Sequence, residues 1–215
     1  MRAVVLLSGG LDSVVAASLA AREMTLVLAL TADYSQRAAA CEIRAASRVA
    51  AGLAIPHTVV PLPWVGRIAG DALTSPGCEL PHPTPDELGT SATEASAAAV
   101  WVPNRNGLLV NVAAVYAEAL DCQAIVCGFN AEEGAVFADN SPAYVDMANA
   151  ALALSTRNQV QVISPTLDLT KAEIVRRGRE VAAPLELVWS CYEAGPAPCE
   201  RCESCLRLRR ALDEA

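Results

Sequence analysis

The chain has 215 residues, 53% of them hydrophobic and 19% charged, and a formal net charge of −8. At ~150 residues per domain this is one domain with at most a small appendage, long enough to bury ~70% of its unfolded surface without staples. So apolar a composition excludes disorder and fibrous repeats, no apolar run reaches the ~20 residues of a bilayer crossing, and the acidic balance disfavours nucleic acid and anionic membranes.

Strand and helix alternate along the chain. MRAVVLLSGG lacks the cleavage site of an export signal and reads as a buried strand over 3–7, broken by paired glycines. An alanine-rich helix follows over 13–24, a strand over 25–32, and a helix over 36–53 that Gly52 stops. A third strand spans 57–62. Residues 63–103 are rich in Pro, Thr, Ser and Gly and read as irregular, a candidate lid, because so long a loop inside a domain is usually functional. Then come a helix over 107–120, a strand over 123–129, a helix over 143–156, a strand over 159–165 and a helix over 169–181. Thr170 and Glu173 have capping-box spacing at the start of that last helix. LRLRRAL forms a short C-terminal helix.

The strands are apolar nearly throughout, so helices must cover both faces. That pattern predicts an α/β fold: a five-stranded, parallel, doubly wound, Rossmann-like sheet. Ligands bind at the carboxyl ends of such strands. The chain divides into a main segment, 1–188, and a small cysteine-bearing segment, 189–215, integrated with it.

Ser8-Gly9-Gly10-Leu11-Asp12-Ser13 joins the first strand to the first helix. The glycines allow a tight turn and close backbone approach. The two serines add hydroxyls, and the helix directs its positive N-terminus at the turn. These features make an anion site. It is neither the Walker loop nor GxGxxG. The alternative is an ordinary glycine turn with Asp12 or Ser13 as helix cap.

Of eight cysteines, four crowd the C-terminus: Cys191, Cys199, Cys202 and Cys205. With no export signal, CxxC spacing favours metal over disulfides, and the protein reads as cytoplasmic. Four thiolates suit a closed, structural Zn²⁺ site; an Fe–S cluster or a redox pair is the alternative. Cys122 and Cys127 read as buried small hydrophobes. His57 and His82 are the only histidines, which excludes a centre built from three.

SGGLDS directly after an apolar strand resembles the pyrophosphate loop of the N-type ATP pyrophosphatases. Combined with Trp189-Ser190-Cys191-Tyr192 and the three later cysteines, it resembles the 7-cyano-7-deazaguanine synthase family. The likeness continues through Asp33-Tyr34-Ser35-Gln36-Arg37, Gly70-Asp71-Ala72-Leu73-Thr74, Val102-Pro103-Asn104-Arg105-Asn106 and Leu169-Thr170-Lys171-Ala172-Glu173-Ile174-Val175. It implies a sheet of the adenine-nucleotide alpha-hydrolase type and a ligase that converts a deazapurine carboxylate and ammonia to the nitrile with ATP. It also implies bound Mg²⁺, one structural Zn²⁺ per subunit and a homodimer acting on small molecules.

Carried over residue by residue, the resemblance implies nucleotide contacts from Leu7, Ser8, Gly9, Gly10, Leu11, Asp12, Ser13, Val14, Val15, Gln36 and Arg37. Catalytic roles fall to Asp12, beside the phosphates with Mg²⁺, and to Ser13, Lys171 and Arg105. Lys171, the only lysine, suits polyphosphate; the alternative is a solvated helix residue. Arg105 clamps phosphate or carboxylate, or makes a surface ion pair. Gln36 and Arg37 line the pocket or merely open the second helix. Arg105, Asn106, Phe129, Asn130 and Asp139 are the substrate-binding candidates. The chain departs from the family pattern at Ser35, at Ala38, across residues 130–141 (where a Gly-Tyr-Pro-Asp-Cys-Arg-like segment is expected) and in Cys199-Glu200-Arg201-Cys202, which lacks the knuckle glycine. The competing readings are another pyrophosphate-loop amidating ligase, a tRNA-modifying enzyme, and a zinc-stabilised nucleotide-binding module without chemistry.

Overall fold

The structure, a computed structural model, describes residues 1–88 and 91–215. Five parallel strands lie in the order β3-β2-β1-β4-β5: β1 Arg2–Leu6, β2 Thr25–Asp33, β3 His57–Pro61, β4 Ala124–Val126 and β5 Gln161–Ile163. Val4 pairs with Leu28 on one side and Ile125 on the other. The chain winds outward first from one side of β1 and then from the other. The strand order therefore reverses between β1 and β4, which opens a crevice at their carboxyl ends.

Alternation along β1 explains the two layers. Ala3, Val5 and Leu7 face α1 (Leu11–Glu23) and α2 (Ala39–Gly52), packing on Val14, Ala17 and Val49. Val4 faces the other way, against Val110 and Ala113 of α5 (Arg105–Ala119) and Leu152 of α7 (Pro142–Ser155). Both faces are dry, so the strands carry apolar residues at consecutive positions. Among the described residues no helix is long and apolar enough to cross a membrane.

Residues 63–103 are more ordered than their composition predicts. They contain α3 (Pro63–Ala69), a 3-10 turn over Pro85–Glu87 and α4 (Ser91–Ala99). Pro63 opens α3 at a position where its missing N–H costs nothing. SATEASAAA is rich in the best helix former; the flanking Pro and Thr obscure it. Leu62, Val65, Leu73, Val100 and Val102 form a core of their own with Tyr34. That part of the irregular-loop expectation is therefore corrected.

Several boundaries also move. The second helix starts at Ala39, not residue 36, because Ser35 takes a left-handed φ of 68° and the Gln36 side chain accepts from the Tyr34 N–H at 2.9 Å. Gly52 is the last residue of that helix. β4 and β5 are three residues each; Gln159 has φ 52°, which no strand residue adopts. The capping box on α8 (Lys171–Glu180) is present: the Thr170 N–H donates to Glu173 at 2.8 Å. The C-terminal helix, α9 (Glu203–Glu214), packs on α8 through Ala211 and Ile174.

Candidate active site

The crevice between β1 and β4 holds a cavity of about 280 Å³. Its floor is the turn from β1 into α1. Gly9 has φ 85°, and a Cβ there would stand 2.8 Å from the Glu42 carbonyl and from the Ala45 side chain. Ser8 and Ser13 place their hydroxyls 3.1 Å apart across this turn, with Ser13 Oγ donating to the Gly10 carbonyl at 3.0 Å. Asp12 stands in the first turn of α1.

Lys171 enters from the start of α8. Its buried ammonium donates to Asp12 Oδ2 and to Glu133 Oε1, both at 2.7 Å. Burial alone would lower the lysine pKa, but the two carboxylates hold it above its ordinary value. Burial pushes the Asp12 carboxyl up, against the pull of Lys171. Glu133 is likewise buried, yet Lys171 holds it below the usual glutamate value. Asp12 Oδ1 is buried and has no partner among the described residues. A hard, unpaired carboxylate oxygen beside an anion-binding turn fits a divalent cation such as Mg²⁺.

Glu133 and Glu132 lie in α6 (Ala131–Gly134), just past β4, in the stretch where the sequence departs from the family pattern. Glu132 accepts from the Lys171 backbone N–H at 2.8 Å and pairs with Arg210 at 2.8 Å. The first contact ties α6 to α8 and the second ties α6 to α9. Sequence reading missed both glutamates; the signal available was an acidic pair at the carboxyl end of a strand in an α/β sheet.

Arg105 opens α5 and lies against the Tyr34 hydroxyl. Burial works against its charge, but Tyr34, Asp139 and Glu133 keep its pKa above the ordinary value. Among the described residues no ion pair engages it. A permanent charge facing the cavity with no carboxylate clamped to it suits an anionic ligand group. The wall beside it is aromatic. Trp101, which sequence reading passed over, stacks on Phe137 with centroids 5.9 Å apart and planes 13° apart. Phe129 meets Tyr144 edge-on at 5.9 Å. A flat heterocycle suits such a wall.

Leu7, Ser8, Gly10, Leu11, Asp12, Ser13, Gln36, Arg105, Asn106, Phe129, Asp139 and Lys171 thus all line one cavity. Gly9 shapes the turn beneath it. Val14 and Val15 stand behind the turn, fully buried in two core clusters. Gln36 reaches the wall but spends its amide on Ala32 (3.1 Å), Glu42 (2.7 Å) and Tyr34. Arg37 points away, to the Ser75 carbonyl at 2.8 Å and to the Cys78 carbonyl. Asn130 is buried off the cavity and caps α6, accepting from the Glu133 N–H at 2.9 Å. His57 contacts Thr31 at 2.7 Å, and His82 is exposed away from the cavity.

The four C-terminal cysteines converge, with all their sulfurs within 4.8 Å of one another. Tetrahedral Zn–S bonds of ~2.3 Å would set them ~3.8 Å apart. The Glu193 and Cys199 N–H groups donate to Cys191 Sγ, and the Cys202 N–H to Cys199 Sγ, each at 3.3 Å. Such donors stabilise thiolates, so the set fits a metal ion with all positions filled. Glu200 takes φ 60° at the position of the missing knuckle glycine.

Against known proteins, a family model described as "Queuosine biosynthesis protein QueC" matches residues 2–215. The chain belongs to this family. QueC relatives named 7-cyano-7-deazaguanine synthase are 50% identical in Desulforamulus reducens (213 residues, 99% of this chain and 93% of that one). They are 51% identical in Desulforudis audaxviator (216 residues; 100% and 98%) and 44% in Methanosarcina barkeri (219 residues; 100% and 95%). This QueC-family chain is an enzyme of the carbon–nitrogen ligase class. An NMN synthetase from Francisella tularensis shares the fold, with a TM-score of 0.50 and 20% identity over 92% of this chain and 70% of that one.

Proposed function

We propose that the chain converts 7-carboxy-7-deazaguanine and ammonia to 7-cyano-7-deazaguanine at the expense of ATP. The observation that carries this is the convergence of the serine–glycine turn, Lys171 and Arg105 on one cavity in a chain half identical, over its whole length, to relatives of that name. A substrate carboxylate oxygen attacks the α-phosphate of ATP and pyrophosphate leaves. Ammonia displaces AMP, giving the amide and releasing a proton. The amide oxygen attacks the α-phosphate of a second ATP, pyrophosphate again leaves, and loss of AMP and of both amide protons yields the nitrile. Neither a carboxylate nor an amide gives up oxygen unaided, and adenylation makes that oxygen a leaving group.

Within this reading Ser8, Ser13 and the Gly10–Leu11 backbone hold the pyrophosphate, and Lys171 neutralises developing charge on it. Asp12 would hold Mg²⁺, which supplies further charge neutralisation. Arg105 binds the substrate carboxylate, and Trp101 with Phe137 supports the flat base. The cysteines hold Zn²⁺ as a structural ion. The same reading makes the protein a cytoplasmic homodimer acting on small molecules and not on nucleic acid; light scattering checks the dimer.

The test is mass spectrometry of products from purified protein, ATP, Mg²⁺, ammonia and 7-carboxy-7-deazaguanine. Nitrile with AMP and pyrophosphate is expected. Amide alone would show that the altered segment 130–141 has lost the second half-reaction. No product, with ATP bound, would overturn the substrate and leave the loop's reading standing.

A further inference from the structure

Ser190 has no part in the site as assembled above. It stands between Trp189, whose backbone N–H donates to the Gly9 carbonyl at 2.9 Å, and Cys191, one of the four clustered thiols. Its hydroxyl accepts from the Leu11 N–H at 3.5 Å. A Cβ built on Gly10 would lie 4.0 Å from the same oxygen. Ser190 therefore reaches the turn that already carries Ser8 and Ser13, and all three line the cavity.

The Leu11 N–H belongs to the first turn of α1, where amides lack helical partners. At 3.5 Å the serine oxygen satisfies it poorly. A hydroxyl rotates freely and both donates and accepts, so an arriving anion oxygen can take both the amide N–H and the serine O–H. A second donor belongs to the neighbouring residue: the Trp189 indole N–H is buried and has no partner among the described residues, and Trp189 also lines the cavity. Buried donors in native proteins are normally satisfied, which points to a ligand.

We propose that Ser190 is the third hydroxyl of the anion-binding turn, carried there by the segment that the cysteine cluster anchors. Two stretches of chain 179 residues apart then clasp the pyrophosphate end of one nucleoside triphosphate. This rests on the ATP reading above.

Calorimetric titration of the metal-loaded full chain with Mg·ATP and with AMP tests it. Ser190→Ala weakens ATP about tenfold, about 1.4 kcal/mol, and leaves AMP unchanged. Ser190→Thr, which keeps the hydroxyl, retains ATP affinity. Equal ATP affinity in Ser190→Ala, or a parallel loss of AMP, would overturn the inference alone. Failure of the unaltered protein to bind ATP would overturn the nucleotide reading, and this clasp with it.

Discussion

Lys171 and Glu133 meet at 2.7 Å, from helices 38 residues apart in sequence, and Asp12 completes the group from a third helix at the same distance. Two carboxylates share one ammonium, so the triad carries a net negative charge on the edge of a site proposed for triphosphate. A divalent cation on the free oxygen of Asp12 would reverse that sign. In that event Glu133 is the partner that keeps the lysine in place.

Lys171→Met should therefore destabilise the protein by about 3 kcal/mol at neutral pH, because removing one member of a buried ion group strands the others. In the unaltered chain the Lys171 contribution is fully present below the ordinary lysine pKa and fades as pH rises through its higher folded value. The Glu133 contribution is present above the ordinary glutamate pKa and fades as pH falls through its lower folded value. In Lys171→Met the carboxylates lose the charge that opposes desolvation, their folded pKa values rise, and acidification from neutrality toward pH 5 becomes stabilising. Urea unfolding across that range checks it: Lys171→Met should gain stability on acidification more steeply than the unaltered chain, in which Lys171 still holds Glu133 charged; equal slopes in the two proteins would refute it.

Gly128 lies where β4 passes the turn. A Cβ there would stand 2.6 Å from the Ser13 nitrogen and 2.7 Å from the Asp12 carbonyl carbon. Both are backbone atoms of α1 and cannot swing aside. Gly128→Ala should push the turn away from Lys171 and lower ATP affinity and turnover together, with a stability loss of about 1–3 kcal/mol from overpacking. Thermal melting alongside steady-state kinetics separates this from simple unfolding.

What was legible in the sequence is local. The turn from Ser8 to Ser13 is six consecutive residues after an apolar strand, and the capping box at Thr170 and Glu173 spans four. Strand alternation follows from buried faces. Glu133 was not legible: its partner is fixed only by the packing of α6 on α8, and its helix is one turn long. The same holds for Trp101, which gains meaning only when Phe137 is brought beside it. Arg37, Asn130, Val14 and Val15 show the opposite limit: sequence neighbours of cavity-lining residues need not face the cavity themselves.

Arg105 offers a substrate-specific test. Charge-assisted contacts to a carboxylate contribute about 1.5–3 kcal/mol, so Arg105→Ala should raise KM for the carboxylate substrate about tenfold to a hundredfold, with KM for ATP little changed. Arg105→Lys should recover only part of the loss, since a point charge cannot reproduce the planar fork. A rise confined to the KM for ATP would place Arg105 on the phosphates instead.

Glu200 holds a left-handed backbone, φ 60°, inside the Cys199–Cys202 knuckle. For a residue with a Cβ that conformation costs about 1–2 kcal/mol, and glycine adopts it freely. The strain is borne by the folded knuckle and not by the unfolded chain. Glu200→Gly should relieve it. Part of the gain is offset by the greater freedom of glycine in the unfolded state, which leaves a net stabilisation of about 0.5–1 kcal/mol. Because folding of the knuckle and metal binding are one equilibrium, the same increment should appear as roughly twofold to fivefold tighter retention of the metal, zinc in the reading above, against a competing chelator. Glu200 is exposed and away from the cavity, so ATP kinetics should not change; weaker zinc retention in Glu200→Gly would show that the glutamate side chain, and not its backbone angle, governs the knuckle.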